Sequence, residues 1–281
     1  MTKEVPELDR EEILRVVLPA LQEDLGAAGD VTSQTVIPEA ETGAARIVAG
    51  SNGLLAGMPV AAEVFSRVNC RLRAGAKDGD EIEPGAEIAR IGGAVRGMLA
   101  AERTALNFLG RLSGIATMAH RYVQAVAGTK VAVRDTRKTT PGLRVLEKYA
   151  AAIGGCEIYR RGLFEGVFLK DNHVRAVGGV ENAIDRAKKG RPDLRILIEV
   201  STPKQAEEAA SAGADEILLD NMTVADLKEA VTRVNGRAAL EASGGITLRN
   251  VRKVAETGVH AVSVGAITHA APWLDFSLHL E

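Results

Sequence analysis

Cysteine is scarce in this chain: Cys70 and Cys156 are the only two. They are too few and too far apart for a disulfide framework or a metal knuckle, so a reducing compartment and small buried thiols are expected. Aromatic residues make up 3% of the sequence, which argues against a base-stacking surface for single-stranded nucleic acid. A formal charge of -2 gives no electrostatic footprint for nucleic acid either, so any anion site must be local. No apolar run approaches the length of a membrane span. The opening "MTKEVPELDREEILRVV" is charged on both sides and lacks the apolar core of a signal peptide. What is present is 281 residues, 46% hydrophobic and 26% charged, the balance of a cytoplasmic, enzyme-sized protein with one large α/β domain or two modest ones.

Residues 43–98 read as short strands cut by glycine turns, "ARIVAG", "GLLAGMPV" and "CRLRAGAKDGDEIEPGAEIARIGG", an antiparallel β region with a helix or two. The stretch "GDEIEPGAEIARI" alone would pass for half of a biotinyl or lipoyl carrier barrel, but no lysine sits in a tight hairpin turn after it. From Met98 to Val126 the periodicity is helical, with Gly110 and Gly114 suggesting a bend or a break. Arg103, Asn107 and Arg111 share one face of it, either as binding groups or as a solvated polar stripe.

Beyond residue 129 six apolar strands, "KVAVRDT", "GVFLKDN", "ILIEVS", "EILLDN", "AALEAS" and "AVSVGA", alternate with helices that close on glycine. Continuous apolar strands with helical crossovers imply a parallel sheet covered on both faces. Each strand ends in chemistry-bearing or loop-forming residues: Asp135 to Lys138, Lys170 with Asp171, Glu199, Asp220, Glu241 with Ser243, Gly265 with Ala266. A barrel gathers all of these on one face, so a barrel of six or seven strands is preferred to an open sheet.

Three kinds of group would converge there. The cations Arg137, Lys138, Arg160 and Lys170, joined by Arg103, suit a compact polyanion. Glu199 and Asp220, on successive strands, suit Mg2+ whose remaining ligands come from a phosphorylated substrate. The loops "ASGGIT" and "SVGAIT" suit a phosphomonoester held by backbone N–H groups. A phosphoribosyl transferase acting on an acidic acceptor would use this whole inventory, with phosphoribosyl pyrophosphate as donor.

The segments "DTRKTTPGLRVLEKYA", "LKDNHV", "LLDN" and "EASGGIT" resemble quinolinate phosphoribosyltransferase, and "LQEDLGAAGDVTSQTV", "GLLAGMPVA" and "ERTALNFLGRLSGIAT" extend the resemblance over nearly the whole chain. The resemblance implies an N-terminal α/β sandwich, here residues 1–112 with the tail 274–281 packing back on it. An incomplete α/β barrel would follow over residues 113–273. It implies a homodimer, alone or built into a hexamer, in which Arg103 reaches the neighbouring site. It implies that Thr136, Arg137, Lys138, Tyr159, Arg160 and Lys170 hold quinolinate. Glu199 and Asp220 would face the ribose and the Mg2+-diphosphate, with Lys138, Lys170, Glu199 and Asp220 as the catalytic set. Ser243, Gly244, Gly245, Val264, Gly265 and Ala266 would cradle the 5-phosphate. The implied reaction yields nicotinate mononucleotide, pyrophosphate and CO2, a step of NAD biosynthesis.

One segment departs from the family pattern of three glycines, any residue, Asn-His-Arg. Here it reads "GGCEIYR", placing Cys156, Ile158 and Tyr159 where glycine, asparagine and histidine are usual. Tyrosine can donate a hydrogen bond to a carboxylate but offers no cation near neutral pH. The rival readings are the same fold and donor with a different acidic heterocycle, a carrier or binding module built on the N-terminal β region, and a sugar-phosphate isomerase or aldolase using Lys170 as a Schiff-base lysine.

Overall fold

The computed structural model describes residues 7–281; residues 1–6, part of the expected first domain and of the charged opening segment, lie outside the described residues. The chain divides into two compact units. The first comprises the chain up to His120 with Thr139–Gly155 and Ile267–Glu281; the second is Arg121–Lys138 with Cys156–Ala266.

Helices α1 (Arg10–Leu25) and α2 (Val31–Val36) open the first unit. Each is started by an aspartate: Asp9 accepts from the N–H of Glu11, and Asp30 from those of Thr32 and Ser33. Four strands, β1 (Thr42–Ala49), β3 (Arg71–Ala74), β5 (Glu87–Ala94) and β12 (Phe276–Leu280), form a sheet in the order β12-β1-β5-β3, every neighbouring pair antiparallel. Its inner face buries Ile47, Ile88 and Ile91 completely or nearly so. The short strands β2 (Gly53–Leu54) and β4 (Glu81–Ile82) pair separately.

The stretch "GLLAGMPV", expected to be extended, is a strand only over β2; helix α3 (Met58–Arg67) starts at its methionine. Pro59 sits in the first turn, where its missing N–H costs nothing. The Asp78 carboxylate accepts from the N–H groups of Gly57 and Met58, both at 2.9 Å, supplying the cap that the local sequence lacks.

Helix α4 runs unbroken from Val95 to Ala125, so the break expected at Gly110 and Gly114 does not occur. These glycines instead admit a neighbouring backbone. A Cβ on Gly110 would lie 2.7 Å from the Leu274 carbonyl oxygen, and one on Gly114 would collide with that of Pro272. Leu274 N–H donates to the Gly110 carbonyl at 3.1 Å, fastening the segment that leads into β12. Gly114→Ala should cost about 1–3 kcal/mol in overpacking, against about 1 kcal/mol of regained helix propensity. A lower urea midpoint is the expected result. Helix α5 (Arg144–Ile153) completes this unit.

In the second unit the six expected strands are all present: β6 (Ala132–Arg134), β7 (Val167–Leu169), β8 (Ile196–Val200), β9 (Glu216–Asp220), β10 (Ala239–Ser243) and β11 (Ala261–Ser263). They form one parallel sheet in the order β6-β11-β10-β9-β8-β7. Helices α6 (Asp171–Ala176), α7 (Val180–Gly190), α8 (Pro203–Ser211), α9 (Val224–Val234) and α10 (Val251–Ala255) connect them, and α11 (Ala266–His269) follows the last. A single parallel bridge from Arg134 to Glu157 adds the start of a seventh position outside β6. This is an incomplete α/β barrel, with parallel strand ends opening on one side as in other barrels.

Candidate active site

The cations expected at the strand ends are built into this arrangement in different ways. Asp135, wholly buried after β6, accepts the N–H of Tyr159 at 2.7 Å and so pins the segment carrying Arg160. Thr136 Oγ1 accepts the N–H of Lys138 at 3.1 Å, folding the intervening Arg137 into a tight turn. The Nε atoms of Arg137 and Arg160 are buried with no hydrogen-bond partner among the described residues. Burial, and the neighbouring Arg137, weaken the hold of Arg160 on its proton, while Tyr159 opposes them. Two buried Nε–H donors left open in this way are suited to an external anion.

Phe168, a residue without a role in the sequence reading, ties the remaining cations together. The Arg160 guanidinium lies 4.5 Å from its ring centroid and the Lys170 ammonium 5.6 Å. Phe168 lies in β7 and Lys170 just past its end, as the N-cap of α6.

Lys170 Nζ is 4.0 Å from Glu199 Oε2. Burial pushes the Glu199 carboxyl above its ordinary value, Lys170 pulls it back, and Asp220 and Asp171 raise it again. Asp220 is the last residue of β9, and its carboxylate accepts from Asn221 Nδ2 at 2.8 Å. Among the described residues no three of His, Cys, Asp and Glu come together as a metal-binding group. Glu199 and Asp220 are hard oxygen donors on neighbouring strands, the kind of pair that suits an ion taking its other ligands from water and substrate oxygen. His173 Nδ1 accepts the N–H of Lys170 at 3.0 Å and shapes the start of α6.

The first glycine loop follows β10. Asn221 turns left-handed at φ 52° and donates its N–H to the Ser243 carbonyl at 2.8 Å. Its side-chain oxygen lies where a Cβ on Gly244 would be, and Gly244 itself has φ +90°, so only glycine fits. Gly245 (φ +61°) faces open space. Asn250 closes the loop by accepting from Thr247 N–H at 2.8 Å and donating to the Gly245 carbonyl at 2.9 Å. In the second loop Val264 is buried, and its N–H is used by the Arg134 carbonyl at 3.0 Å; Gly265 and Ala266 continue into α11.

Glu241, grouped at the sequence level with the strand-end residues, lies inside the sheet and is 1% exposed. Arg134 holds it at 2.7 Å, bonds Glu216, and reaches Glu157 through Nε at 3.1 Å and Nη2 at 2.8 Å. Ser263 donates to the other oxygen of Glu241. The Tyr159 ring lies 5.8 Å from the Arg134 guanidinium. Burial, then Glu241 and Glu216, push its phenol far up, so it stays neutral. Arg134, Glu157, Tyr159 and Glu216, with Arg160 and Arg195, line a cavity of about 210 Å³. The sequence reading missed this cluster, although charged residues inside apolar strands, Arg134 in "KVAVRD" and Glu216 in "EILLD", were its visible sign.

Burial pushes the Glu241 carboxyl up to about 7, against the opposing pull of Ser263 and Arg134. A raised carboxyl binds its proton more tightly in the folded state, so its contribution to stability is present below the ordinary 4.5 and is lost as pH rises towards 7. Glu241→Gln should flatten that part of the stability profile, read from urea titrations across the window.

Arg103 projects from α4 in the first unit. It is exposed and lines a cavity of about 250 Å³ with Asn107, Trp273, Leu274 and Asp275. No helix among the described residues is long and apolar enough to cross a membrane.

Comparison with known proteins agrees with this architecture. Residues 30–113 match the N-terminal domain of quinolinate phosphoribosyl transferase, and residues 115–279 its C-terminal domain. The carboxylating nicotinate-nucleotide pyrophosphorylase of Mycobacterium leprae is 40% identical over 268 residues, 93% of this chain and 94% of the relative. The nicotinate-nucleotide pyrophosphorylase structure from Francisella tularensis superposes with a TM-score of 0.94 at 35% identity, covering 100% of both chains. NadC from Streptococcus pyogenes gives 0.93 at 37% identity, covering 98% of this chain and 99% of its own. The strand order, the placement of charge at the strand ends and these matches together make the chain a member of the quinolinate phosphoribosyltransferase family.

Proposed function

We propose that the protein transfers phosphoribose from phosphoribosyl pyrophosphate to quinolinate, giving nicotinate mononucleotide, pyrophosphate and CO2 in the de novo synthesis of NAD, and that it does so in the cytoplasm. The observation that carries this reading is the pair of buried, unpartnered Nε atoms on Arg137 and Arg160, with the lysine–glutamate pair of the neighbouring strand ends, in a chain of this family. Two carboxylates on the acceptor meet two forked donors and two ammonium groups, Lys138 and Lys170, with Thr136 and Tyr159 as neutral donors.

In the first step the ring nitrogen forms a bond to ribose C1 as the C1–oxygen bond to pyrophosphate breaks. The chain's part is to hold the acceptor in line with C1. Ser243, Gly244, Gly245, Gly265 and Ala266 would hold the 5-phosphate; Val264, expected among them, is buried with its N–H already donated to the Arg134 carbonyl and shapes the loop instead. Glu199 and Asp220 would hold the ribose and Mg2+, which supplies charge neutralisation to the departing diphosphate. In the second step the bond from C2 to the carboxylate breaks. Its electron pair stays at C2, next to the positively charged ring nitrogen, until a proton is taken up, with Lys138 and Lys170 favouring that negative charge. No covalent nucleophile is required, so Lys170 acts as a cation rather than a Schiff base. The protein works as a homodimer, alone or within a hexamer, with the exposed Arg103 completing the neighbouring acceptor site.

The test is product analysis with phosphoribosyl pyrophosphate, Mg2+ and either quinolinate or nicotinate. Nicotinate mononucleotide from quinolinate and not from nicotinate is expected. Turnover of nicotinate alone would overturn the assignment and point to the "CEIYR" segment as the origin of a different acceptor.

A further inference from the structure

Glu147 is a carboxylate with no exposed surface, in the first turn of α5. It is not a strand-end residue and has no part in the proposed chemistry, yet it is the hub of four hydrogen bonds within the first unit. Oε1 accepts from Arg111 Nε at 3.0 Å, from Arg111 Nη2 at 2.7 Å and from the Thr140 hydroxyl at 2.8 Å. Oε2 accepts the Thr140 N–H at 3.0 Å. Arg111, 12% exposed, also donates to the carbonyls of Thr268 and, at 3.5 Å, Ala271.

The two ends of this relay fall at matched places in the chain. Thr140 is two residues beyond Lys138, the second of the two acceptor cations that follow β6; Thr268 is two residues beyond Ala266, the last residue of the second glycine loop. Helix α5 begins without a side-chain cap of its own. Instead it reaches back over the preceding loop, Glu147 to Thr140 and Arg144 Nε to Thr139 Oγ1 at 3.0 Å. A buried, fully hydrogen-bonded ion pair is a costly way to hold a helix together, because packed apolar residues would do that as well or better. What it does supply is direction: bidentate and charge-assisted bonds fix where each partner backbone lies.

We infer that Glu147 and Arg111 are positioning residues that hold the acceptor loop and the second glycine loop in a fixed spatial register, so that both substrate ends lose their alignment together when the pair is removed. The inference rests on the proposed function for what those loops bind. The pair touches neither substrate and acts through Thr140 and Thr268.

The test uses the full-length protein and the double variant Glu147→Leu/Arg111→Met, which removes both charges and so leaves no unpaired buried ion. Melting temperature, hydrogen exchange in 136–143 and 264–271, and KM for quinolinate and for phosphoribosyl pyrophosphate are measured. The expected result is a melting temperature near that of the wild type and faster exchange in both segments. Both KM values should rise together about tenfold, as a displaced reacting geometry would give. Glu147→Gln, whose amide oxygen still accepts from Thr140, should recover most of the quinolinate KM, and it carries the test if the double variant does not fold. Wild-type exchange in both segments, with both KM values unchanged, would overturn the inference and leave the pair a packing feature. Absence of turnover in the wild type would instead refute the proposed function, and the exchange measurement would still decide the role of the pair.

Discussion

Replacing Lys170 by methionine should lower kcat/KM for quinolinate by about 10²–10³-fold, the size of effect seen when one preorganised charge is removed from a reacting centre. Methionine preserves an apolar stem of similar length beside Phe168 and removes only the ammonium. Lys170 is 51% exposed and its contact with Glu199 is long at 4.0 Å, so folding stability should change by less than about 1 kcal/mol. A second consequence separates this loss from simple damage. Lys170 is the group that pulls the Glu199 carboxyl down against burial, Asp220 and Asp171. Without it Glu199 takes up a proton more readily, and the acid limb of the kcat/KM profile should move to higher pH. Wild-type turnover in this variant would remove Lys170 from the site.

Arg134→Met has the largest expected effect on stability, about 3–5 kcal/mol, the cost of removing one partner from a buried ionic cluster. Glu216 and Glu241 have side chains only 5% and 1% exposed, and Arg134 contacts both. Without Arg134, Glu241, whose carboxyl burial already pushes up, holds its proton still more tightly in the folded state. A raised carboxyl stabilises the folded state at low pH and loses that contribution as pH rises, so the variant's deficit should be small near pH 5 and large near pH 8. Adding Glu216→Gln and Glu241→Gln should restore much of the loss and remove its pH dependence. Urea titrations at the two pH values measure both. An equal deficit at both would show that Arg134 acts by packing alone.

The contrast between these residues shows how far sequence could reach. The six barrel strands were legible because each is a short apolar run between helices that stop at glycine or asparagine, as Asn235 does after α9 at φ 48°. The strand-end residues Lys170, Glu199 and Asp220 were legible for the same reason: a polar residue ending such a run marks the open face of a barrel. What escaped depends on contacts distant in sequence. The Asp78 carboxylate that converts "GMPV" into the start of α3 comes from 20 residues away. The helix-preserving role of Gly110 and Gly114 needs a backbone some 160 residues on, and no local rule separates that from a helix break. Glu241 was read as a strand-end group because the loop residues beside it are; the register with β9, pairing Glu241 with Leu218 and Ser243 with Asp220, puts it one layer deeper.

The measurement that tests the central claim most directly is CO2 release from quinolinate labelled at the 2-carboxylate, followed beside pyrophosphate, with and without phosphoribosyl pyrophosphate. The account predicts one CO2 for each pyrophosphate and no release without the donor, because the carbanion is stabilised only once the ring nitrogen carries ribose. Pyrophosphate without CO2, or CO2 without the donor, would contradict it.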